Sequence, residues 1–367
     1  MKKFREKLSQ LEQEHRYRSL RLPAGIDLTS NDYLGLREHP LMREAAIEAL
    51  QNGIDVGAGG SRLLRGHTNE HQDLEEFAAD FLGYDASLFF ASGFQANYAL
   101  FTTLPDRHDL IIFDELVHAS VRDGIKASNA ASVKILHNDL NEFEAALKRA
   151  DCKGQIYIAV ESVYSMDGDV APLKELYALA KQYNAILIAD EAHATGVFGA
   201  NGKGLAEDLP RENLITLHTC GKALGVSGGL VCAERTIIEY LINAARPFIY
   251  STAPMPLQAV LVQRALEIVR DEPGRRVELF KLQDAANQFL SLKSQSQIIP
   301  IVIGDSAKAV EISMALADAG FDIRAIRPPT VAEGTARLRL SLSTSLNEKI
   351  LKDFASHLLP LLQDKAA

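Results

Sequence analysis

Ala185-Ile186-Leu187-Ile188-Ala189-Asp190-Glu191-Ala192-His193 is an apolar run that stops at two carboxylates and a histidine. An apolar stretch of this length, without alternation, suits a strand covered by helices on both faces of a mostly parallel sheet. In such sheets ligands bind at the carboxyl ends of the strands. A carboxylate ending so apolar a strand needs a cationic partner, or it should take up a proton. A pyridinium nitrogen would serve, and so would a buried arginine.

Outward from that strand the pattern repeats. Helices over 69–82, 94–103, 118–128, 139–150 and 172–183 alternate with strands over 87–90, 110–113, 132–136 and 155–160, and Leu214-Ile215-Thr216-Leu217 reads as a further buried strand. The alternation gives an α/β class, a mostly parallel sheet sandwiched by helices. Upstream, the spacing predicts an exposed helix over 4–18, a short strand over 26–29, a turn-rich segment Ser30-Asn31-Asp32-Tyr33-Leu34-Gly35-Leu36 and a helix over 40–51. Beyond residue 250 two helices over 255–290, strands near 298–302, 322–326 and 336–342, and helices over 306–318 and 347–363 predict a smaller α+β unit. The expected division is 1–45, an N-terminal helix and strand; 46–250, the large α/β domain; and 251–367, the small C-terminal domain.

The chain's 367 residues suffice for a large core, and 47% hydrophobic with 24% charged residues describes a globular protein. A formal net charge of −9 offers no basic field for nucleic acid or an anionic membrane. Cys152, Cys220 and Cys232 show neither zinc-ligand spacing nor an even disulfide set. With a charged N-terminus and no apolar run of spanning length, the expectation is a cytoplasmic protein.

Polar clusters follow four strands. Ala91-Ser92-Gly93-Phe94-Gln95-Ala96-Asn97 is a Ser-Gly turn opening a helix, suited to cradling a phosphate or simply to N-capping by Ser92. Asp114-Glu115-Leu116-Val117-His118, Glu161-Ser162-Val163-Tyr164-Ser165-Met166-Asp167-Gly168-Asp169 and Asp190-Glu191-Ala192-His193 come after the next ones. After 214–217 comes His218-Thr219-Cys220-Gly221-Lys222-Ala223-Leu224-Gly225-Val226-Ser227-Gly228-Gly229, one lysine among small residues. Gly221, Ala223 and Gly225 leave room around its amine, and a lysine held out of water there has a lowered pKa and can attack a carbonyl. Alone, the segment reads more readily as a surface lysine in a glycine-rich loop.

His67-Thr68-Asn69-Glu70-His71 has zinc-peptidase spacing but lacks a third ligand helix, so no metal site is expected. Gly221-Lys222 is followed by Ala223, which excludes a Walker phosphate loop. Arg324, Arg327, Arg337 and Arg339 gather near the C-terminus, and Arg337 and Arg339 share one strand face. Arginine suits bidentate carboxylate binding; a solvated strand face is the alternative.

Taken together, these motifs resemble the fold-type I pyridoxal-phosphate enzymes, and among them the α-oxoamine synthases, over about residues 26–345. The family condenses an amino acid with an acyl thioester and releases carbon dioxide. The resemblance implies that Lys222 forms a Schiff base with pyridoxal 5'-phosphate, while Asp190 pairs with the ring nitrogen and His193 with the phenolic oxygen. It places His118 against the ring and Glu161 and Ser165 near the cofactor. Ser92, Gly93, Phe94 and Thr219 would contact the phosphate, with Thr252 reaching that of the partner in a homodimer. Asn31, Arg339, Thr330, Arg327 and Arg21 would line the substrate site, Arg339 gripping the amino acid's carboxylate.

Ala245-Arg246-Pro247-Phe248-Ile249-Tyr250-Ser251-Thr252 and Ile326-Arg327-Pro328-Pro329-Thr330-Val331 lean toward the branch that joins L-alanine to a pimeloyl thioester, carried on CoA or an acyl carrier protein. Glycine with acetyl-CoA, a long-chain acyl donor and a non-catalytic partner subunit on the same fold are the alternatives. Ala194, Cys220 and the lack of a histidine in Ser343-Thr344-Ser345-Leu346 depart from the family pattern.

Overall fold

The computed structural model describes residues 1–14, 16–20 and 22–363. Among them the strands run β1 (Ile26–Asp27), β2 (Ala86–Phe90), β3 (Leu110–Asp114), β4 (Ala131–Ile135), β5 (Ile156–Glu161), β6 (Ile186–Asp190), β7 (Leu214–Thr219), β8 (Gly229–Ala233), β9 (Ile298–Gly304), β10 (Phe321–Asp322), β11 (Ala325–Ile326) and β12 (Ala336–Ser341). Internal contacts divide the chain into two units. Leu34–Ser165 with Val170–Val277 form one; Met1–Tyr33, Met166–Asp169 and the chain from Glu278 onward form the other. The expected divisions at residues 45 and 250 thus give way to a split in which 251–277 cluster with the large sheet and the N-terminal segment clusters with the C-terminal quarter.

The larger unit holds a seven-stranded sheet in the order β2-β8-β7-β6-β5-β3-β4. Pairings from β4 through β7 are parallel, whereas β8 runs antiparallel to both β7 and β2. One reversed strand therefore leaves β2 pointing the same way as β7, so the segments leaving both emerge at one edge. β6 and β7 are buried on both faces; on one of them Ile188, Ile215 and Leu217 pack with Leu88, Val231 and the helix residues Ala96, Leu100 and Val121. Burying each such large side chain contributes about 1.5–3 kcal/mol, an upper figure since unfolded chains are partly collapsed. β4, at one edge of the sheet, is exposed over its first four residues.

The smaller unit pairs β9, β12 and β11 antiparallel, with β1 joined in parallel to β10. Every residue of β12 is buried, including its two arginines. Phe354 of the last helix meets Phe321 edge-on at 5.5 Å. Among the described residues, no helix is long and apolar enough to cross a membrane.

Candidate active site

In the larger unit the site is built from the segments leaving the C-terminal ends of β2, β3, β5, β6 and β7. The turn after β7 is tied by Cys220 N to Gly228 O at 2.9 Å, Val226 N to Cys220 O at 3.0 Å and Gly225 N to Lys222 O at 2.8 Å. Lys222 is half-buried, and its Nζ lies 2.8 Å from His193 Nε2. The two flanking glycines play separate roles. A Cβ at Gly221 would meet nothing within 4 Å, which leaves clearance beside the lysine. Gly225 has φ +67°, and a Cβ there would lie 2.5 Å from Arg37 N, so it serves backbone approach and not room at the amine.

Asp190 ends β6, buried. Its Oδ2 accepts from Asn97 Nδ2 at 2.7 Å and its Oδ1 from Ala192 N at 2.9 Å. Both of these donors are neutral groups. Directly across the sheet Glu161 pairs in register with Asp190. Burial, reinforced by the charge of Asp190 and opposed by Lys222, pushes Glu161 up to about 8. Backbone hydrogen bonds from His118 and Ser165 reach this carboxyl, while its Oε1 has no partner among the described residues.

His118 opens the helix Ala119–Ala127 as its N-cap, with Nδ1 accepting from Ser120 N at 3.2 Å. Burial, against the pull of Asp190, holds its pKa below the usual histidine value. Phe94 presents its ring edge-on to His118 at 6.4 Å. Ser92 caps the helix Gly93–Thr103 through Gln95 N at 3.1 Å. Gly93 and Phe94 precede the first backbone bond of that helix, Ala96 N to Ser92 O, so their N–H groups open its positive end. A Cβ at Gly93 would overlap Thr219 Oγ1, so only glycine leaves this concavity open. Thr252 is exposed.

These features fit pyridoxal phosphate chemically. An open turn at a helix N-terminus with a threonine hydroxyl suits a phosphate, a buried carboxylate with neutral partners suits a protonated ring nitrogen, and a lysine with clearance suits a carbonyl.

Other expected residues lie in the smaller unit. Arg339 donates from both terminal nitrogens to Asn31 Oδ1 at 3.1 Å, from Nη1 to Ser341 Oγ at 2.6 Å and from Nη2 to the Tyr33 hydroxyl at 3.3 Å. Arg337, on the same strand face, is bound to Asp167 and to the carbonyls of Met166 and Thr335. The Thr330 hydroxyl accepts from Arg18 Nη2 at 3.2 Å, and Arg327 is held below its usual pKa by burial and by Arg18. Arg21 lies outside the described residues.

Sequence reasoning missed Asn97, Ser120 and Tyr33 as site residues. Asn97 stands one turn along the helix from Gly93, which could have marked it as inward-facing. Glu191, beside Asp190, braces the loop instead of facing the lysine. It is buried, pushed up to about 7 chiefly by that burial, and accepts from Leu205 N, Ala206 N and Ser162 Oγ. His71 is a capping residue that bonds Thr68 and reaches Pro254 O at 2.9 Å; His67 contacts Arg62.

Comparison with known proteins gives one pattern. The model of the aminotransferase class I and II family matches residues 23–358. An 8-amino-7-oxononanoate synthase of Chromobacterium violaceum is 41% identical, with 92% of each chain covered. The crystal structure of 8-amino-7-oxononanoate synthase from Francisella tularensis superposes with a TM-score of 0.77 at 30% identity, over 93% of this chain and 97% of that one. A serine palmitoyltransferase from S. paucimobilis with a bound PLP–myriocin aldimine gives 0.90 at 26% identity, over 98% and 96%.

Proposed function

The chain belongs to the aminotransferase class I and II family, and from that membership we propose that it is a pyridoxal-phosphate-dependent acyltransferase. It joins L-alanine to a pimeloyl thioester, giving 8-amino-7-oxononanoate, carbon dioxide and the free thiol, a step of biotin biosynthesis. The observation that carries this reading is the 41% identity to an 8-amino-7-oxononanoate synthase across 92% of both chains.

Bound, the cofactor supplies a sink for the electron pair left on the amino acid's α-carbon. Asp190 would pair with the ring nitrogen and keep its proton in place. Lys222 would hold the group covalently, and its Nζ is the base that would accept the α-proton. His193, in contact with that amine, would pair with the phenolic oxygen. Ser92, Gly93, Phe94 and Thr219 would hold the phosphate. Burial pushes Glu161 up to about 8, toward the neutral acid that adds no second negative charge beside Asp190. Ser165 fixes the Glu161 carboxyl. Arg339, oriented by Asn31, Tyr33 and Ser341, binds the substrate carboxylate, and Thr330, Arg327 and Arg21 line the acyl side.

The acyl carrier is CoA or an acyl carrier protein, and the protein works in the cytoplasm, in keeping with its three free cysteines. It acts as a homodimer in which exposed Thr252 reaches the phosphate held by the partner. Thiol release tests the reading: alanine with pimeloyl-CoA should turn over at least about tenfold faster than glycine with acetyl-CoA, a preference equivalent to about 1.4 kcal/mol. The reverse preference would refute the assignment.

A further inference from the structure

Asp190, Asn97, Ser120 and His118 form one continuous hydrogen-bond chain inside the larger unit. Asn97 Nδ2 donates to Asp190 Oδ2 at 2.7 Å and to Ser120 Oγ at 3.0 Å. Ser120 Oγ lies 2.8 Å from His118 Nδ1, and Ser120 N donates to the same nitrogen at 3.2 Å. Asn97 and Ser120 are both almost completely buried.

Each direction along the chain is fixed by chemistry. An ionised carboxylate only accepts, so the amide end of Asn97 must face Asp190. Asn97 Oδ1 has no partner among the described residues, so no competing bond favours the flipped amide. With one amide hydrogen on Asp190, the other falls to Ser120 Oγ, and the serine hydroxyl must then donate onward to His118 Nδ1. The backbone N–H of Ser120 cannot rotate, and it also points its hydrogen at Nδ1. That nitrogen must therefore hold a lone pair, which puts the ring hydrogen on Nε2.

We propose that Asn97 and Ser120 are positioning residues that lock His118 as the neutral Nε2–H tautomer and tie its orientation to the carboxylate of Asp190. This rests on the reaction assigned above and on the expected place of His118 against the cofactor ring. There the lock presents a hydrogen-bond donor at Nε2 to a substrate carbonyl and keeps a second proton off Nδ1. Among the described residues no hydrogen bond joins Asn97 to His118, so a change at Asn97 reaches the imidazole through Ser120 or through the charge of Asp190.

The test uses the full chain with its cofactor, labelled with ¹⁵N-histidine, and long-range N–H correlation of the imidazole signals. His118 is identified by the signal lost in His118→Gln. In the wild type, Nε2 should be protonated and Nδ1 bare. Ser120→Ala, which removes one oxygen, should shift Nδ1 and populate the other tautomer. Asn97→Ala should shift it in the same direction from a distance. kcat should fall about 10–100-fold, as for other residues that orient a reacting histidine, with KM nearly unchanged. Ser120→Thr, which keeps the hydroxyl, should restore the wild-type signal.

A wild-type His118 protonated on Nδ1 would overturn the proposal. So would a Ser120→Ala chain with unchanged His118 signals and kcat; that arm stands alone if Asn97→Ala fails to fold. Expected His118 signals without thiol release from any substrate pair would support the lock and overturn the reaction assigned above.

Discussion

Gly229 opens β8 beside Gly93, which opens the helix following β2. A Cβ at Gly229 would lie 2.8 Å from Gly93 Cα, 2.9 Å from Gly93 N and 3.0 Å from Ser92 O. All three are backbone atoms, so no change of rotamer relieves them. Ordinary van der Waals contact begins at 3.4 Å, so Gly229→Ala must part the two segments by about 0.6 Å. That displacement falls on the first-turn N–H of Gly93, at the limit of what a preorganised site tolerates. The cofactor-free chain should lose about 1–3 kcal/mol, the usual cost of overpacking. Pyridoxal phosphate affinity should fall about 10–100-fold, equivalent to about 1.4–2.8 kcal/mol. Gly221→Ala is the control: its Cβ meets nothing within 4 Å, and stability should stay within about 0.5 kcal/mol of wild type. Thermal melts of the cofactor-free chains and absorbance titrations with pyridoxal phosphate read both effects. A Gly229→Ala chain that melts and binds like the control would refute the view that this approach sets the phosphate turn.

Lys222→Ala should lose the borohydride-reducible adduct with the cofactor; an adduct of undiminished yield would place the anchor elsewhere. Glu161 has an unperturbed value of 4.5 and stands at about 8 when folded, so between those values the folded chain binds the extra proton and stability falls as pH rises. Glu161→Gln mimics the neutral acid and should flatten that fall in urea titrations at about pH 6 and about pH 9; an unchanged slope would mean that Glu161 is ionised in the fold. Arg339→Lys loses the two-nitrogen grip on Asn31 and the planar fork, and should raise KM for alanine about tenfold while cofactor binding is kept. An unchanged KM would remove Arg339 from the substrate site.

Much of this was legible where one residue's setting is local. The helix 69–82 matches its observed span because a capping threonine precedes it and Gly83, at φ +80°, ends it. Asp190 could be singled out because a charge ends an otherwise apolar strand. Direction and partnership were harder. Gly229-Leu230-Val231-Cys232-Ala233 is as apolar as its parallel neighbours, so its pattern does not reveal that β8 is reversed. The signal was the connection over 220–228, too short for the crossover that a parallel strand needs. Arg337 and Arg339 have identical local patterns, and only the pairing of Arg337 with Asp167 separates them. Asn97 and Ser120 meet across two crossovers, which no local window contains.

The reversed strand also orders events in time. The turn bearing Lys222 closes a loop of few residues between two strands that pair with each other, whereas Asp190, His118 and Gly93 reach it only through long connections. Short loops close at smaller entropic cost and faster, so the lysine's hairpin can form while its future partners are still apart. Capture of the cofactor then becomes a late step of refolding. In stopped-flow refolding with pyridoxal phosphate present, cofactor absorbance should lag behind the tyrosine fluorescence that reports collapse; simultaneous traces would contradict this order.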